Sequence, residues 1–180
     1  MSSSINPLEM PALERPDWPR HPEGEYPILV AVQFDNSGRN ALQHAVYLSK
    51  THGRAPLHVA TVVADENPSG RASVIERHTA ALDLAMSELR AFAQECAGDD
   101  MKNMRFHVRM GETVETIFQL ALDYDVELIV VGTHARKGLA KLRIGSVAQR
   151  LVENARCPVL IAVPRDYAGM SPTLIPDPPR

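Results

Sequence analysis

Five short apolar runs alternate with four segments of helical periodicity between residues 28 and 163. Two of the runs, Ile28–Val32 and Leu128–Val131, are apolar at every position, as expected of strands that are covered on both faces. A chain that alternates strands with helices folds into a parallel sheet, because each helix returns the chain to the edge where the next strand begins. The sequence therefore predicts a parallel sheet with helices on both faces.

Shorter signals predict the remaining elements. Leu57–Val63 and Pro158–Val163 are further apolar runs, and Met104–Met110 alternates strictly, as does a strand with one solvated face near a sheet edge. Ser37 is predicted to cap the first helix. The later helices are predicted from apolar spacing over Gly70–Ala97, Val114–Leu122 and Ser146–Ala155.

Prolines concentrate at the two ends of the chain. Six of the 14 prolines lie within residues 1–27 and five within residues 164–180. Segments so rich in proline cannot hold a helix or a central strand, so we predict two Pro-rich tails around one domain, residues 28–163. Such tails are typical of linkers or disorder; the alternative is docking, with Trp18 and Leu174–Ile175 as candidate anchors.

The remaining composition narrows the class of protein. No apolar run approaches the length of a membrane span, and the N-terminal residues lack the pattern of a signal peptide, so we predict a cytoplasmic protein. Cys96 and Cys157 have no CxxC or paired-His spacing and are interpreted as structural. The net charge of −3 argues against general nucleic-acid binding.

The stretch Leu128–Ser146 carries the strongest chemical signal. Its apolar run ends at Gly132, and a helical pattern begins at Ser146 after a loop with no acidic residue. A strand, a loop of small residues and a helix N-terminus favour an anion, because backbone N–H groups and the helix dipole converge there. We therefore predict a phosphate site, with four nearby cations: Arg136, Lys137, Lys141 and Arg143.

Simpler explanations exist for each of these residues. Gly132 could only end a strand, Gly145-Ser146 could only begin a helix, and the four cations could form a solvated face. His134 has no Cys, Asp or Glu at ligand spacing and is interpreted as an exposed loop residue. Asp35 and Asp65 could hold Mg²⁺ against a triphosphate, although acids in turns more often face water.

The order of these motifs resembles that of the universal stress protein family. The resemblance is carried by Gly132-Thr133-His134-Ala135, nine residues, Gly145-Ser146-Val147 and then Cys157-Pro158-Val159-Leu160-Ile161, and it extends back to Ile28–Val32. It implies an α/β, flavodoxin-like or Rossmann-like sandwich with a five-stranded parallel sheet and helices on both faces. It also implies a stress-response or signalling protein that binds ATP, or AMP or ADP, at the loop after strand four.

The resemblance also implies a set of nucleotide-binding residues. They are Ala31, Val32, Gln33, Val62, Val131, Gly132, Thr133, Ala135, Arg136, Gly145, Ser146 and Val147. The nucleotide-binding branch has Gly, two residues, Gly, nine residues, Gly and then Ser or Thr. Gly132, Gly145 and Ser146 match, but Ala135 stands where the second glycine belongs, and Gln33 stands where that branch has an aspartate.

The two departures leave two functional hypotheses. Ala135 costs about 1–2 kcal/mol if its backbone is left-handed, and Gln33 weakens binding by very roughly 1 kcal/mol, together on the order of 10- to 100-fold in affinity. The first hypothesis is a nucleotide-binding protein with at most slow ATP hydrolysis, since no evident base lies near the γ-phosphate. The alternative is a dimeric interaction protein of the same fold that does not bind nucleotide.

Two further features bear on these hypotheses. The chain has no GxxxxGK[ST], GxGxxG or Gly-x-Ser-x-Gly motif. An ordinary ATP-driven enzyme is therefore less favoured than either of the two hypotheses. The uncharged run Pro158–Val163 is placed by chain order at a sheet edge, where an exposed apolar strand needs cover. A twofold mate would cover it symmetrically, so we predict a homodimer through this strand.

Overall fold

The computed structural model describes residues 26–64, 71–133 and 144–163, and the side chains of all of these except 71–76. Strands and helices alternate along the chain, as predicted. The strands are β1 (Ile28–Ala31), β2 (Leu57–Val63), β3 (Met104–Met110), β4 (Leu128–Gly132) and β5 (Val159–Ala162). The helices are α1 (Asn36–Thr51), α2 (Arg71–Ala97), α3 (Thr113–Asp123) and α4 (Ser146–Asn154). A short 3₁₀ helix, Gly98–Asn103, which the sequence did not predict, connects α2 to β3.

Several residues that the sequence analysis singled out are not among those that the structure describes. Trp18 and Leu174–Ile175 lie outside the described residues, as does Asp65. The loop at 134–143, with Ala135, Arg136 and the other predicted cations, also lies outside them.

The five strands form one parallel sheet in the order β3-β2-β1-β4-β5. Ala31 of the central strand pairs with Ala60 of β2 on one side and with Val131 of β4 on the other. The predicted five-stranded parallel sheet is confirmed, and both strands that were placed near an edge, β3 and β5, lie at the edges. The strand order reverses between β1 and β4, and in open parallel sheets ligands bind beyond the carboxyl ends at such a point.

Each face of the sheet has its own hydrophobic core, which confirms that helices cover both faces. The core under α1 and α2 includes Ile28, Val30, Leu42, Leu57 and Leu89. The core under α3 and α4 includes Leu29, Ile117, Leu120, Ile129 and Leu151. Burial of a large aliphatic side chain stabilises the fold by about 1.5–3 kcal/mol, so a central strand that is buried on both faces is apolar at every position. None of the helices in the described ranges is both long and apolar enough to cross a bilayer.

The start of α1 differs from the prediction. Asp35, not Ser37, is the N-cap, and Ser37 lies in the first turn. The Asp35 carboxylate accepts from the N–H groups of Ser37 and Gly38, each at 2.9 Å, and from the Ser37 hydroxyl at 2.7 Å. A carboxylate two residues upstream reaches both amides at once, so it displaces the serine from the capping position.

One polar cluster is buried on the α3 face of the sheet. His58 of β2 and His107 of β3 are 2% and 7% exposed. Their nitrogens, Nδ1 of His58 and Nε2 of His107, lie 3.0 Å apart within hydrogen-bond distance. The ring of Tyr124, at the end of α3, contacts both imidazoles with centroid distances of 4.4 and 4.5 Å. One nitrogen of each histidine is thus paired with the other ring within a mostly apolar layer.

Candidate functional site

A cleft of about 320 Å³ opens at the carboxyl ends of β1, β2 and β4. It lies where the strand order reverses, with α1 on one face of the sheet and α3 and α4 on the other. All three helices contribute N-terminal residues to its lining, namely Ser37 and Gly38, Thr113, and Ser146. Because the N-terminus of a helix carries partial positive charge, this convergence favours an anionic ligand.

The cleft brings together ten of the twelve predicted binding residues. They are Ala31, Val32, Gln33, Val62, Val131, Gly132, Thr133, Gly145, Ser146 and Val147. The other two, Ala135 and Arg136, lie outside the described residues. That these residues contact a nucleotide stays a prediction.

Several lining residues were not predicted. They are Ser37 and Gly38 of α1, Ala60 and Thr61 of β2, Thr113 and Ile117 of α3, and Ala148 of α4. Ala60 and Thr61 precede the predicted Val62, Ile117 lies in the second turn of α3, and the others belong to helix N-termini that follow strands. The strand-to-helix junctions after β1 and β3 were therefore a usable signal, because their position follows from the topology.

The floor of the cleft is built from direct backbone contacts. An ideal Cβ placed on Gly132 would lie 2.5 Å from the carbonyl carbon of Ser37 and closer still to its oxygen. A Cβ on Gly38 would lie 2.9 Å from the backbone nitrogen of Gln33 and closer still to the Gln33 oxygen. The first turn of α1 therefore rests directly on the ends of β1 and β4, and only glycine fits at these two contacts.

The N-terminus of α4 differs from those of α1 and α3. Asp35 caps the first turn of α1, and the Glu112 carboxylate accepts from the N–H of Glu115 at the start of α3. The N-cap of α4 is Gly145, which has no side chain to accept from the first N–H groups. The first intrahelical bond runs from the N–H of Gln149 to the Gly145 oxygen, so the amides of the three residues before Gln149 have no intrahelical acceptor.

An exposed ion pair connects the two helices beside the cleft. Arg150 of α4 donates from Nη1 to Oε1 of Glu112 at 2.6 Å. The backbone N–H of Glu115 and the Arg150 guanidinium, in that order, hold the pKa of Glu112 below its usual value. Because Glu112 precedes Thr113 of the lining, this pair links the start of α3 to the middle of α4, although an exposed pair contributes only about 0–1 kcal/mol.

The acidic residue nearest the cleft is already engaged. Asp35, one of two candidate Mg²⁺ ligands, uses its carboxylate to cap α1. Within the described ranges, no cluster of three or more His, Cys, Asp or Glu residues could hold a metal ion.

Thr133 closes the end of β4 against β5. Its N–H donates to the Ala162 oxygen at 3.2 Å, and Thr133 is only 1% exposed.

Comparison with known proteins places this architecture among related folds. The model of the Universal stress protein family matches residues 26–163. The Universal stress protein Sll1388 of Synechocystis is 26% identical over 149 residues, which cover 74% of this chain and 95% of the relative. The structure of universal stress protein UspA from Lactobacillus plantarum superposes with a TM-score of 0.62 and 24% identity, covering 78% of this chain and 99% of that chain. A universal stress protein crystallised in complex with cAMP has a TM-score of 0.54 and 19% identity, covering 77% and 97% of the two chains.

Proposed function

Because the chain belongs to the universal stress protein family, we propose that it binds an adenine nucleotide in the cleft and acts as a stress-response or signalling protein. The observation that carries this proposal is the N-terminus of α4. Its first amides have no intrahelical acceptor, its cap is a glycine, and it lies beside the carboxyl end of β4. A phosphate can approach such amides closely and accept hydrogen bonds from them.

The cleft suggests a role for each of its ends. The amides of Ser146 and Val147 and the exposed Ser146 hydroxyl would hold phosphate oxygens. Gln33 and Val62, at the ends of β1 and β2, would contact the nucleoside. Gln33 offers a neutral amide, so its hydrogen bonds to a ribose would contribute about 0.5–1.5 kcal/mol each, less than those of a carboxylate.

The identity of the nucleotide is part of the proposal. ATP, ADP and AMP are the candidates from the sequence, with Mg²⁺ accompanying a triphosphate. The related structure in complex with cAMP adds a cyclic monophosphate to them. Denaturing freshly purified protein and identifying any released nucleotide by mass spectrometry would distinguish these ligands.

Binding is favoured over catalysis by the chemistry of the lining. Among the described residues that line the cleft, none is an aspartate, glutamate or histidine. Hydrolysis of ATP needs a residue that orients or deprotonates a water. We therefore expect at most slow hydrolysis. We propose that the bound nucleotide changes the conformation of the protein or its choice of partner, and that its hydrolysis does not drive the function. The cytoplasmic location and the domain limits at 28 and 163 stay predictions.

Substituting Gly145 with valine is expected to weaken ATP binding at least about tenfold and to lower stability by no more than about 1 kcal/mol, since valine is a poorer N-cap than glycine. The backbone at Gly145 has φ −62° and ψ 154°, which valine adopts readily, and an added Cβ meets no described atom within 4 Å. The branched side chain would instead occupy the space through which a phosphate reaches the α4 amides. Isothermal titration calorimetry gives the affinity, and a thermal melt verifies the fold.

Ser146→Ala tests the hydroxyl separately from the amides. It keeps every amide and removes one hydroxyl that would bond a charged phosphate oxygen, so the loss should be about 1.5–3 kcal/mol. Equal ATP affinity in the wild type and Gly145→Val would reject the cleft as the phosphate site. It would favour the second candidate, an interaction protein that does not bind nucleotide, to which Gln33 and Ala135 already point.

We also propose a homodimer through residues 158–163. β5 is an edge strand that pairs only with β4 among the described strands, and its Val159, Leu160 and Ile161 are partly buried. Leu160→Lys places a charge in the centre of this edge and is expected to give monomers or insoluble protein. Light scattering measures the mass, with Leu84→Lys, at an exposed leucine of α2, as control. An unchanged dimer in Leu160→Lys would place the interface elsewhere.

A further inference from the structure

A second cavity, of about 350 Å³, lies at the opposite end of the sheet from the cleft. Its apolar lining comes from the second half of α3 and from the starts of β4 and β5. We call it the basal cavity; Phe118, Ala121, Leu122, Val126, Ile129 and Cys157 form the apolar part of its lining, and Asp125, Glu127, Asn154 and Arg156 form the polar part. Leu122 is 58% exposed at this point, so a large aliphatic side chain faces solvent beside an apolar hollow.

We infer that the N-terminal segment of this same chain, residues 1–25, docks in the basal cavity with Trp18 as its anchor. The first described residues enter the fold beside the cavity. The N–H of Glu127, a lining residue, donates to the oxygen of Pro27 at 2.8 Å. The chain therefore enters the described domain next to the wall of the cavity.

The ring of Tyr26 itself packs on the other face of the sheet, against the core under α1 and α2. Its ring stacks on His52 at the end of α1, with centroids 5.0 Å apart. Burial, then the Glu127 carboxylate, then the Cys157 thiol raise the pKa of Tyr26. Tyr26 thus lies within electrostatic range of two residues that line the cavity.

The distance that the chain can span and the size of the indole ring both suit Trp18 as the anchor. It stands eight residues before Tyr26, and an extended chain of that length spans up to roughly 27 Å. Trp18 is the only tryptophan of the chain. An indole buries about 150–250 Å² when it is enclosed, and its N–H can meet the polar rim, where Asp125 and Asn154 lie. One bulky aromatic ring would fill much of the cavity and cover Leu122.

The C-terminal segment is less well placed for this cavity. β5 runs parallel to the other strands, so the chain leaves the described domain at Val163, at the carboxyl end of the sheet. That end carries the cleft, whereas the basal cavity lies at the amino ends of β4 and β5. Leu174–Ile175 would have to cross the full height of the sheet, whereas the segment 1–25 joins the described chain next to Pro27, beside the cavity.

The fluorescence of Trp18 in the full-length protein tests this inference directly, since no other tryptophan contributes. We expect blue-shifted emission and weak quenching by acrylamide in the wild type. Leu122→Lys should shift the emission to the red and raise the quenching constant several-fold, because it places a charge at the cavity mouth. Leu84→Lys, at a comparably exposed leucine on the other face of the sheet, should leave both unchanged.

Cysteine labelling gives a second measurement that does not depend on the lysine variants. Cys157 lines the cavity, whereas Cys96 packs against the other core, so the ratio of their alkylation rates has an internal reference. Trp18→Ala should raise the labelling of Cys157 several-fold relative to Cys96.

Three results would overturn the inference. The first is water-exposed emission from Trp18 in the wild type. The second is blue-shifted, weakly quenched emission in both Leu122→Lys and Leu84→Lys, which would place Trp18 elsewhere. The third is acrylamide quenching of Trp18 that rises when the protein is diluted. This would show that the cavity binds residues 1–25 of a second copy of the chain.

Discussion

Gly132→Ala is expected to destabilise the folded domain by about 3 kcal/mol or more, at the upper end of what overpacking costs. The added methyl group would lie 2.5 Å from the Ser37 carbonyl carbon and 3.0 Å from the Ser37 Cβ. Flexible side chains can rotate away from a new atom, but here the obstacle is mainly backbone. Urea denaturation gives the free energy of unfolding of the wild type and the variant.

Neither partner in this contact can shift freely. Ser37 is held by the Asp35 cap, and Gly132 pairs with Ala162 of β5 at the end of β4. Relief of the clash would therefore break the cap or separate the end of β4 from β5. Because these elements form the floor of the cleft, nucleotide affinity should fall together with stability.

Gly145→Ala is the matched control for this prediction. Gly145 lines the same cleft, but its φ is −62° and an added Cβ meets no described atom within 4 Å. Its free energy of unfolding should stay within about 0.5 kcal/mol of the wild type. If Gly132→Ala were equally stable, the start of α1 would have to move aside at little cost, and the backbone contact would not define the cleft.

The sheet could be predicted largely from local sequence. Strands buried on both faces are apolar throughout, as in β1 and β4, and the alternation of Met104–Met110 correctly indicated an edge. The resemblance to the family implied ten of the residues that line the cleft, and the general rule that ligands bind beyond the carboxyl ends of parallel strands agrees with where they lie.

What the sequence did not reveal depends on contacts between distant segments or on competition between neighbours. Ser37 and Asp35 are both good capping residues, and only the geometry of the turn decides for the carboxylate. A side chain at Gly132 would meet the backbone of Ser37, a contact that no spacing in the sequence indicates. His58 and His107 are 49 positions apart, and the register between β2 and β3 brings them together.

This histidine pair is expected to make the fold sensitive to mild acid. Burial first, then His107 and Arg105, lower the pKa of His58 from 6.5 to about 4. Burial, then Arg109 and Arg105, lower the pKa of His107 as well. Between pH 6.5 and 4 the unfolded chain therefore binds more protons than the folded one, and stability must fall as the pH falls.

The expected loss from His58 is roughly 3 kcal/mol between pH 7 and pH 4, with His107 adding in the same direction. Urea denaturation at a series of pH values measures it. The pair His58→Leu with His107→Leu should flatten the dependence in this window and stay folded at pH 5, because no polar partner is left unpaired. Tyr124→Phe keeps the aromatic contact with both rings and should retain the wild-type slope.

Single substitutions distinguish titration of the pair from simple loss of packing. His58→Leu alone leaves the Nε2 of buried His107 without its partner, which costs about 1–3 kcal/mol at pH 7. Adding His107→Leu should recover much of that cost, although it removes a second native side chain. A double variant that is less stable than either single variant at pH 7 would show that packing, not the pairing of the two rings, carries their contribution. A double variant that keeps the wild-type slope between pH 6.5 and 4 would show that acid acts on other groups.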